Sequence, residues 1–284
     1  MKKTGSTALL VLALLAGLAL LLYPTVSDRW NAMHASRAVA AYAENVRELK
    51  EDEYDAIWQD AAAYNRSLLE RGSGFTLTPE QRAVYDSLLN LNGTGVMGYI
   101  EIPSIDVSLP IYHGTDEAVL QIAVGHLEWS SLPVGGAGTH CVLSGHRGLP
   151  SAKLFTNLDQ LTPGDTFVMR VLDEALTYEV DQILIVEPSD VTALAAEPGK
   201  DLCTLVTCTP YGVNSHRLLV RGHRVENAEQ ARAVRVTSDA VQIDPMLVAP
   251  VVALPVLLAL LIILLLSGQK KKPSGGKKHE EDSE

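Results

Sequence analysis

The chain has 284 residues, of which 34 are acidic and 23 are basic, so its net charge is -11 at pH 7. Binding to nucleic-acid phosphates needs concentrated Lys and Arg, so this balance excludes nucleic acid as a partner. The three cysteines, Cys141, Cys203 and Cys208, are too few for a disulfide scaffold and lack CxxC spacing. The length leaves room for one domain of ordinary size with a helical appendage.

The chain begins with an apolar segment behind two lysines. Residues 5–27 carry no charge, and their length is close to the roughly 20 residues that a membrane-spanning helix needs. No convincing small-x-small cleavage site follows, because Leu20, Leu21, Leu22 and Tyr23 lead directly into Pro24. We therefore predict that residues 1–27 form an uncleaved signal anchor, with a cleaved signal peptide as the alternative.

Residues 28–92 have the pattern of an extracytoplasmic helical region. Apolar residues recur at helical spacing over 28–70, which contain neither Gly nor Pro, and this predicts two helical segments. A break with the sequence RGSGFTLTP follows. Thr78 and Pro79 then predict a helix start, with Thr as the cap and Pro at the first position, and this helix is expected to reach about Asn90.

The composition changes to alternating and β-branched residues between 93 and 225, and the fold is predicted to be mainly β. Short strands separated by Gly and Pro predict a barrel or sandwich of about eight strands. Helical turns are expected at 115–122 and 151–159. The predicted strands lie in these stretches: GYIEIPSIDVSLPIYH, THCVLSGH, DTFVMRVL, LTYEVDQILIVEP, DLCTLVTC and HRLLVRGHRV.

The C-terminal part is predicted to return to the membrane. Residues 226–245 are interpreted as a polar connector, 246–266 as a second transmembrane helix without charge, and 267–284 as a cytoplasmic tail. Lysines flank both apolar runs, at Lys2 and Lys3 and at 270–272. Because positive charge marks the cytoplasmic side, the sequence predicts a two-span protein of the cell membrane with the domain between the spans outside the cell.

Candidate catalytic residues stand where two predicted strands end. Cys208 closes TLVTC and His146 follows THCVLSG, so the two exits would share one rim if the strands were parallel neighbours. Arg217 follows Cys208 by nine residues, beyond a turn sequence rich in Pro, Gly and Asn that can bring the chain back antiparallel. A thiol, an imidazole and a guanidinium supply a nucleophile, a proton donor and an oxyanion partner. Taken singly, each residue is equally well explained as a buried thiol, a loop histidine or a solvent-exposed arginine.

The same residues carry a resemblance to a known family. TLVTC with Arg217 nine residues on, together with LSGHRGLPSAKLF upstream, resembles the sortases. GYIEIPSIDVSLPIYHGT, GHLEWSSLPVGG and CTPYGVNSHRLLVRGHR are similar to the class C, pilin-polymerising branch, and the likeness covers roughly residues 85–225. The resemblance implies an eight-stranded sortase β-barrel, with Cys208, His146 and Arg217 as catalytic residues and no metal or organic cofactor.

The reaction that the resemblance implies is transpeptidation. Cys208 would cleave an LPxTG-type sorting signal between Thr and Gly, and a lysine of another pilin subunit would take over the acyl group. Pilin subunits and the membrane are thus the expected partners. The alternatives are a sortase that uses a peptidoglycan amine, a non-catalytic membrane-tethered scaffold for pilus assembly, and a simple thiol protease.

Two further features concern the surroundings of the site. Class C sortases commonly carry a lid with an Asp-Pro-aromatic triplet, but residues 65–79 lack that triplet, and Phe75 is the lid candidate. Its alternative role is packing at a helix junction. Cys141 and Cys203 each precede a candidate catalytic residue by five positions, so on parallel strands they would face each other away from the site. We predict two free buried thiols rather than a disulfide, because a bridge between directly adjacent strands is strained.

Overall fold

Helices make up the N-terminal part of the protein. The computed structural model describes residues 2–68 and 74–227, with side chains from residue 11 onward. The helices α1, α2 and α3 span Lys2–Glu48, Glu51–Leu68 and Pro79–Ser87. The two predicted helical segments over 28–70 are thus confirmed, and the first is continuous with the apolar N-terminal run. The predicted connector beyond residue 227, the second span at 246–266 and the tail lie outside the described residues.

Helix α1 carries the one stretch of the described chain that is long and apolar enough to cross a membrane. The candidate begins at Val11 and contains a window of mean hydropathy 1.8 in which no residue is buried. Leu20, Leu21 and Tyr23 are among its exposed apolar side chains. Length and composition therefore suit either a membrane anchor or a signal sequence.

The rest of the described chain forms a closed barrel of eight strands. Around the barrel the order is β1-β2-β3-β4-β7-β8-β6-β5, and β5 pairs with β1 to close it. The pairs β2/β3 and β4/β7 are parallel, whereas the other pairs are antiparallel. The strands are β1 Val96–Ile102, β2 Val107–His113, β3 Val124–His126, β4 Thr139–Ser144, β5 Thr166–Val171, β6 Glu174–Val186, β7 Asp201–Thr209 and β8 His216–Arg224. The mainly-β prediction is confirmed, and of its two architectures the barrel is the one observed.

Some boundaries differ from the prediction. The strand β3 was not predicted, because three residues are too few to show alternation. The helical turn expected at 115–122 is the single-turn helix α4, Glu117–Leu120. The helical turn expected at 151–159 is represented by the 3₁₀ turn Leu158–Gln160, at the end of that range. Helix α3 ends at Ser87 rather than near Asn90.

The start of α3 has the predicted cap. The Thr78 hydroxyl accepts from the Gln81 backbone N–H at 3.3 Å, and the Thr78 N–H donates to Gln81 Oε1 at 3.0 Å. These reciprocal bonds satisfy two N–H groups that would otherwise lack partners at the helix start. The Pro at the first helical position is also as predicted.

Buried polar contacts fix the helices to the barrel. His126 Nε2 lies 2.8 Å from the Ser131 carbonyl oxygen and therefore carries the proton, so Nδ1 accepts from the Tyr85 hydroxyl at 2.9 Å. The same hydroxyl accepts from the Gly114 N–H at 3.0 Å. On α2, the Asn65 amide nitrogen donates to the Leu132 carbonyl at 3.0 Å, and the Asn65 amide oxygen accepts from the Leu132 N–H at 2.7 Å. Helices α2 and α3 are thus attached through specific bonds that few other packings would satisfy.

Candidate active site

The β4/β7 ladder aligns the segments that carry His146 and Cys208. The register pairs Val142 with Thr204 and Ser144 with Val206 along these parallel strands. Beyond the last pair, the Gly145 N–H donates to the Val206 carbonyl at 3.0 Å, and the Thr207 hydroxyl donates to the Gly145 carbonyl at 2.8 Å. His146 follows Gly145 directly, so the chain reaches it at the level of Cys208. The condition for a shared rim, that these strands be parallel neighbours, is therefore met.

Arg217 is brought to the same level from the other side. Strands β7 and β8 are antiparallel, and their register places Cys208 opposite Arg217. The connecting loop between the strand ends is residues 210–215, because β7 extends one residue beyond its predicted end at Cys208, whereas β8 begins at His216 as predicted. Arg217 Nη1 donates to the carbonyl oxygens of Asn214 and His216 at 3.3 and 3.1 Å. The guanidinium is thus held at the base of the loop that follows Cys208.

The alternation of the strands separates the three cysteines. Cys141 and Cys203 are register partners, are buried and belong to the main core cluster. Cys208 is five residues after Cys203, so it points to the opposite, outer face of the barrel, and it is half-buried. All three are free thiols. Burial raises the pKa of the Cys203 thiol well above its usual value, which makes it a poor nucleophile.

A buried apolar cluster lies beside Cys208 on the outer face of the barrel. Val142, Val206 and Leu219 form this apolar floor, and Leu194, which belongs to the 3₁₀ turn Thr192–Leu194 in the β6–β7 loop, covers it. Trp129, Leu184, Val186 and Val191 are among the partly buried residues that pack against it. The floor itself is therefore closed by the loop, and the apolar side chains with partial exposure lie at its margin.

The loop after His146 is compact. The Phe155 N–H donates to the His146 carbonyl at 3.1 Å, and the Gly148 N–H donates to the Thr156 hydroxyl at 3.1 Å. A Cβ added at Gly145 would lie 2.7 Å from the buried Phe155 ring, so only glycine allows this approach. These contacts fix the backbone on both sides of the imidazole.

Arg147 is a residue of this region that the sequence patterns did not single out. Its side chain is only 9% exposed, forms an ion pair with Asp159 and lies 5.9 Å from the centre of the Tyr211 ring. It also donates to the Thr209 hydroxyl at 3.5 Å, while its Nε has no hydrogen-bond partner within the described part of the chain. Arg147 therefore joins the His146 loop to the loop after Cys208. Its position directly after His146 in SGHRG could have indicated a role in the site. Its partners Asp159 and Tyr211 are distant in sequence, so the contacts themselves could not be predicted.

Helix α1 contacts the tip of the His146 loop. The Asn31 amide donates to the Ser151 carbonyl at 2.9 Å, and the Lys153 N–H donates to Asp28 Oδ1 at 2.7 Å. Lys153 Nζ also lies 3.8 Å from Asp28 Oδ2. The first polar turns of α1 therefore support the loop that carries His146.

Phe75 is half-buried and packs against the main core cluster rather than against the apolar floor near Cys208. The preceding residue, Gly74, is close to the β6–β7 loop, since a Cβ added there would lie 3.3 Å from Val191 Cγ2. The segment predicted as a lid thus reaches the β6–β7 loop at Gly74.

No metal centre accompanies these groups in the part of the chain that the structure describes. Over residues 2–68 and 74–227, no group of three His, Cys, Asp or Glu side chains could hold a metal ion. His113 has a local role instead, since its ring nitrogens contact the carbonyl oxygens of Gly95 and Leu88 at 2.9 and 2.8 Å.

Comparison with known proteins agrees with this fold. The family model described as Sortase domain matches residues 100–225. Sortase D of Bacillus subtilis is 33% identical over 131 residues, which cover 45% of this chain and 63% of that protein. Sortase A of Streptococcus agalactiae is 32% identical over 117 residues, which cover 40% and 47%. The chain thus spans less than two thirds of the length of these curated relatives.

Solved structures match over a larger share. Sortase C1 from Streptococcus agalactiae is 52% identical, with a TM-score of 0.66, and the match covers 68% of this chain and 100% of that chain. Sortase C from Clostridium perfringens is 42% identical, with a TM-score of 0.60 and coverage of 68% and 100%. The protein belongs to the sortase family, whose members are cysteine transpeptidases, and its structural neighbours include several class C sortases.

Proposed function

We propose that this protein is a membrane-bound transpeptidase that cleaves LPxTG-type sorting signals and joins pilin subunits. The observation that carries the proposal is the register that places Arg217 opposite Cys208, with His146 directly after the last β4/β7 contact. Cys208 is half-buried on the outer face, whereas the other two cysteines are enclosed in the core. It is therefore the one cysteine to which a peptide substrate has direct access.

In the first half-reaction, the Cys208 thiolate attacks the carbonyl carbon of Thr in the sorting signal. The negative charge that develops on the carbonyl oxygen is stabilised by the Arg217 guanidinium. Protonated His146 donates a proton to the nitrogen of the leaving Gly as the Thr–Gly bond breaks. The products are a thioester on Cys208 and a free glycine amine.

In the second half-reaction, an amine attacks the thioester carbon. Neutral His146 takes the proton of the attacking amine, and Cys208 leaves as the thiolate. A pilin lysine as the amine gives an isopeptide bond and extends a polymer. The crystal structure of Streptococcus pneumoniae sortase C, which is 42% identical to this chain, bears on the pilin substrate specificity of that enzyme, and this supports a pilin acceptor here.

We propose that the sorting signal binds in a groove along the β6–β7 loop, with its Thr carbonyl at Cys208. The Leu and Pro of an LPxTG sequence are apolar, and the partly buried side chains of Leu184, Val186 and Val191 at the margin of the apolar floor offer apolar contacts. Val186 is the register partner of Arg217, so this margin lies next to the proposed oxyanion partner. The Clostridium perfringens neighbour was solved with a C-terminal cell wall sorting motif.

For the membrane, we propose that α1 is an uncleaved anchor and that residues 246–266 provide a second span. The exposed apolar side chains of α1 and the lysines at both ends of the chain support this topology. The catalytic domain then lies outside the cell. Protease protection of tagged termini in intact cells tests it, and digestion of either terminal tag from outside would contradict it.

We further propose that residues 74–78 act as a lid that is held without the Asp-Pro-aromatic anchor. The closeness of Gly74 to Val191 supports this role. The Phe75→Ala variant should then raise the alkylation rate of Cys208 by a small iodoacetamide probe, because the segment loses apolar contact with the body of the protein. Equal rates in both proteins would assign Phe75 to packing alone.

The decisive experiment is incubation of the detergent-solubilised full chain with an LPxTG peptide and a lysine-bearing pilin fragment. Mass spectrometry should detect a thioester on Cys208 and then a Thr–Lys isopeptide, and Cys208→Ala should form neither. Transfer to a peptidoglycan amine but not to pilin lysine would favour wall attachment. Release of the Thr carboxylate without amine transfer would indicate a thiol protease, and failure to label Cys208 at all would favour a scaffold.

A further inference from the structure

His140 is a buried histidine on the outer face of β4 that the proposed mechanism does not use. Its side chain is 2% exposed and has two partners. Nδ1 lies 2.9 Å from the Ala195 carbonyl oxygen, and Nε2 lies 2.7 Å from the Thr204 hydroxyl. Because a carbonyl oxygen can only accept, Nδ1 carries the proton, and Nε2 accepts from Thr204.

The two partners of His140 belong to different elements, the β6–β7 loop and the strand β7. Ala195 is in the β6–β7 loop, immediately after Leu194, which covers the apolar floor. Thr204 is on β7, four residues before Cys208 and on the same face. The imidazole therefore links the β6–β7 loop to the strand that carries the proposed nucleophile.

Two ion pairs formed by carboxylates of this loop are more exposed than the histidine contact. Glu187 pairs with His216 at 3.2 Å, and its side chain is 69% exposed. Glu197 accepts from Arg221 at 3.0 Å, and its side chain is 40% exposed. Exposed ion pairs of this kind contribute little to holding a loop, whereas a satisfied bond to a buried histidine excludes alternative positions.

We propose that His140 is a positioning residue that fixes the β6–β7 loop over the groove and thereby sets the affinity for the sorting peptide. The expected effect on peptide affinity rests on the proposed function. The contact between His140 and the loop does not. The bond that matters is the one from Nδ1–H to the Ala195 carbonyl. His140 acts on binding, through the loop, and leaves the reacting groups at Cys208 unchanged.

Two substitutions separate the contacts of the ring. The amide nitrogen of Asn takes the place of Nδ1, so His140→Asn can still donate to Ala195 while losing Thr204. The amide of Gln takes the place of Nε2, so His140→Gln keeps a contact to Thr204 and loses Ala195. His223→Gln is the matched control, because His223 lies on β8, on the far side of β7 from His140, with a side chain that is 45% exposed and an ion-pair partner, Asp181, at 3.8 Å.

Two readouts on the full chain test the proposal. Hydrogen exchange of backbone amides in residues 188–199, measured without peptide, should accelerate in His140→Gln only. The KM for an LPxTG peptide should rise about fivefold to tenfold in His140→Gln, with kcat changed less than KM, and should stay near wild type in His140→Asn and in the control.

Each outcome decides a separate point. Unchanged exchange in His140→Gln, or equal acceleration in the Asn and Gln variants, would overturn the tether. Faster exchange in His140→Gln with an unaltered KM would overturn its role in substrate binding. If the wild-type protein turned over no sorting peptide, the proposed function would fail, while the exchange experiment would still decide whether His140 holds the loop.

Discussion

Cys208 lies directly opposite Arg217 across the β7/β8 ladder. Opposed residues on antiparallel strands have Cβ atoms about 5 Å apart, so a thiol and a guanidinium in this relationship can both reach one small group. The register is maintained by eight consecutive residue pairs, from Leu202 with His223 to Thr209 with His216. The spacing of the two groups is therefore a property of the sheet rather than of a mobile loop.

This relationship predicts that Arg217→Lys is not a conservative change. Lysine keeps the charge but loses the forked donors, so we expect kcat/KM for peptide cleavage to fall about 10²- to 10³-fold, the usual cost of one oxyanion donor. Steady-state kinetics with a fluorogenic LPxTG peptide measures it. Arg224→Lys, at the far end of the same strand, is the control and should cleave at the wild-type rate. Equal rates for both variants would remove Arg217 from the mechanism.

The separation of the cysteines predicts selective modification. In the native protein, iodoacetamide should modify Cys208 and leave Cys141 and Cys203 unmodified, because both of the latter are buried. Peptide mapping by mass spectrometry identifies the site. Cys203→Ala should keep transferase activity and lose roughly 1 kcal/mol of stability, whereas Cys208→Ala should lose activity without loss of stability. If Cys203 were modified as fast as Cys208, its placement in the barrel interior would be contradicted.

Close packing at Gly145 predicts a steric effect on the His146 loop. Gly145→Ala places a Cβ against the Phe155 ring, and we expect the free energy of unfolding to fall by about 1–3 kcal/mol, as for other overpacked cores. Equilibrium denaturation measures the loss. In a Phe155→Leu background the same substitution should cost less, because the ring is absent. An equal cost in both backgrounds would show that the ring is not the obstacle.

The bond between Tyr85 and His126 predicts that the helical region stabilises the barrel. Tyr85→Phe leaves His126 Nδ1 and the Gly114 N–H without their buried partner, and we expect a loss of about 1–3 kcal/mol. Tyr211→Phe, on an exposed loop residue, is the matched control and should change stability little. Thermal unfolding of the full chain in detergent micelles compares the two. Equal midpoints would contradict the role of Tyr85.

Burial of His140 predicts a dependence of stability on pH. Burial lowers the pKa of His140 in the folded protein, whereas the unfolded chain has the ordinary value of about 6.5. As the pH falls below about 6.5, the unfolded chain binds a proton at His140 that the folded protein does not bind. The stability that is present above this pH is therefore lost as the pH falls towards the pKa of His140 in the folded protein. The free energy of unfolding of His140→Asn should therefore fall less between pH 7.5 and pH 5.5 than that of the wild type. Burial also lowers the pKa of His113, which both proteins retain, so the difference isolates His140. Parallel pH curves would contradict the prediction.

Features that depend on neighbours in sequence could be predicted. The Thr78 cap needs only Gln81 three residues later, and the long strands show alternation over six or more residues. The exposed apolar run of α1 is likewise local. The strand β3 escaped prediction because its three residues are held by pairing with β2 and β4 rather than by their own pattern.

Contacts between distant residues could not be predicted in the same way. Arg147 pairs with Asp159 and covers Tyr211, His140 joins Ala195 to Thr204, and α1 supports the loop at Ser151 and Lys153. None of these pairs leaves a periodic signal, because each depends on the order in which the strands close the barrel.

The sequence alone determined the mainly-β composition, the apolar N-terminal run, and the candidate roles of Cys208, His146 and Arg217 by their chemistry and their places at strand ends. Tertiary structure decided that β4 and β7 are parallel neighbours, that Cys208 faces outward while Cys203 is enclosed, and that a buried histidine contacts the β6–β7 loop. The physical reason is the range of the forces involved. Helix caps and strand alternation are satisfied within a few residues, whereas strand order and the closure of a barrel are fixed by burial and hydrogen bonding summed over the whole chain.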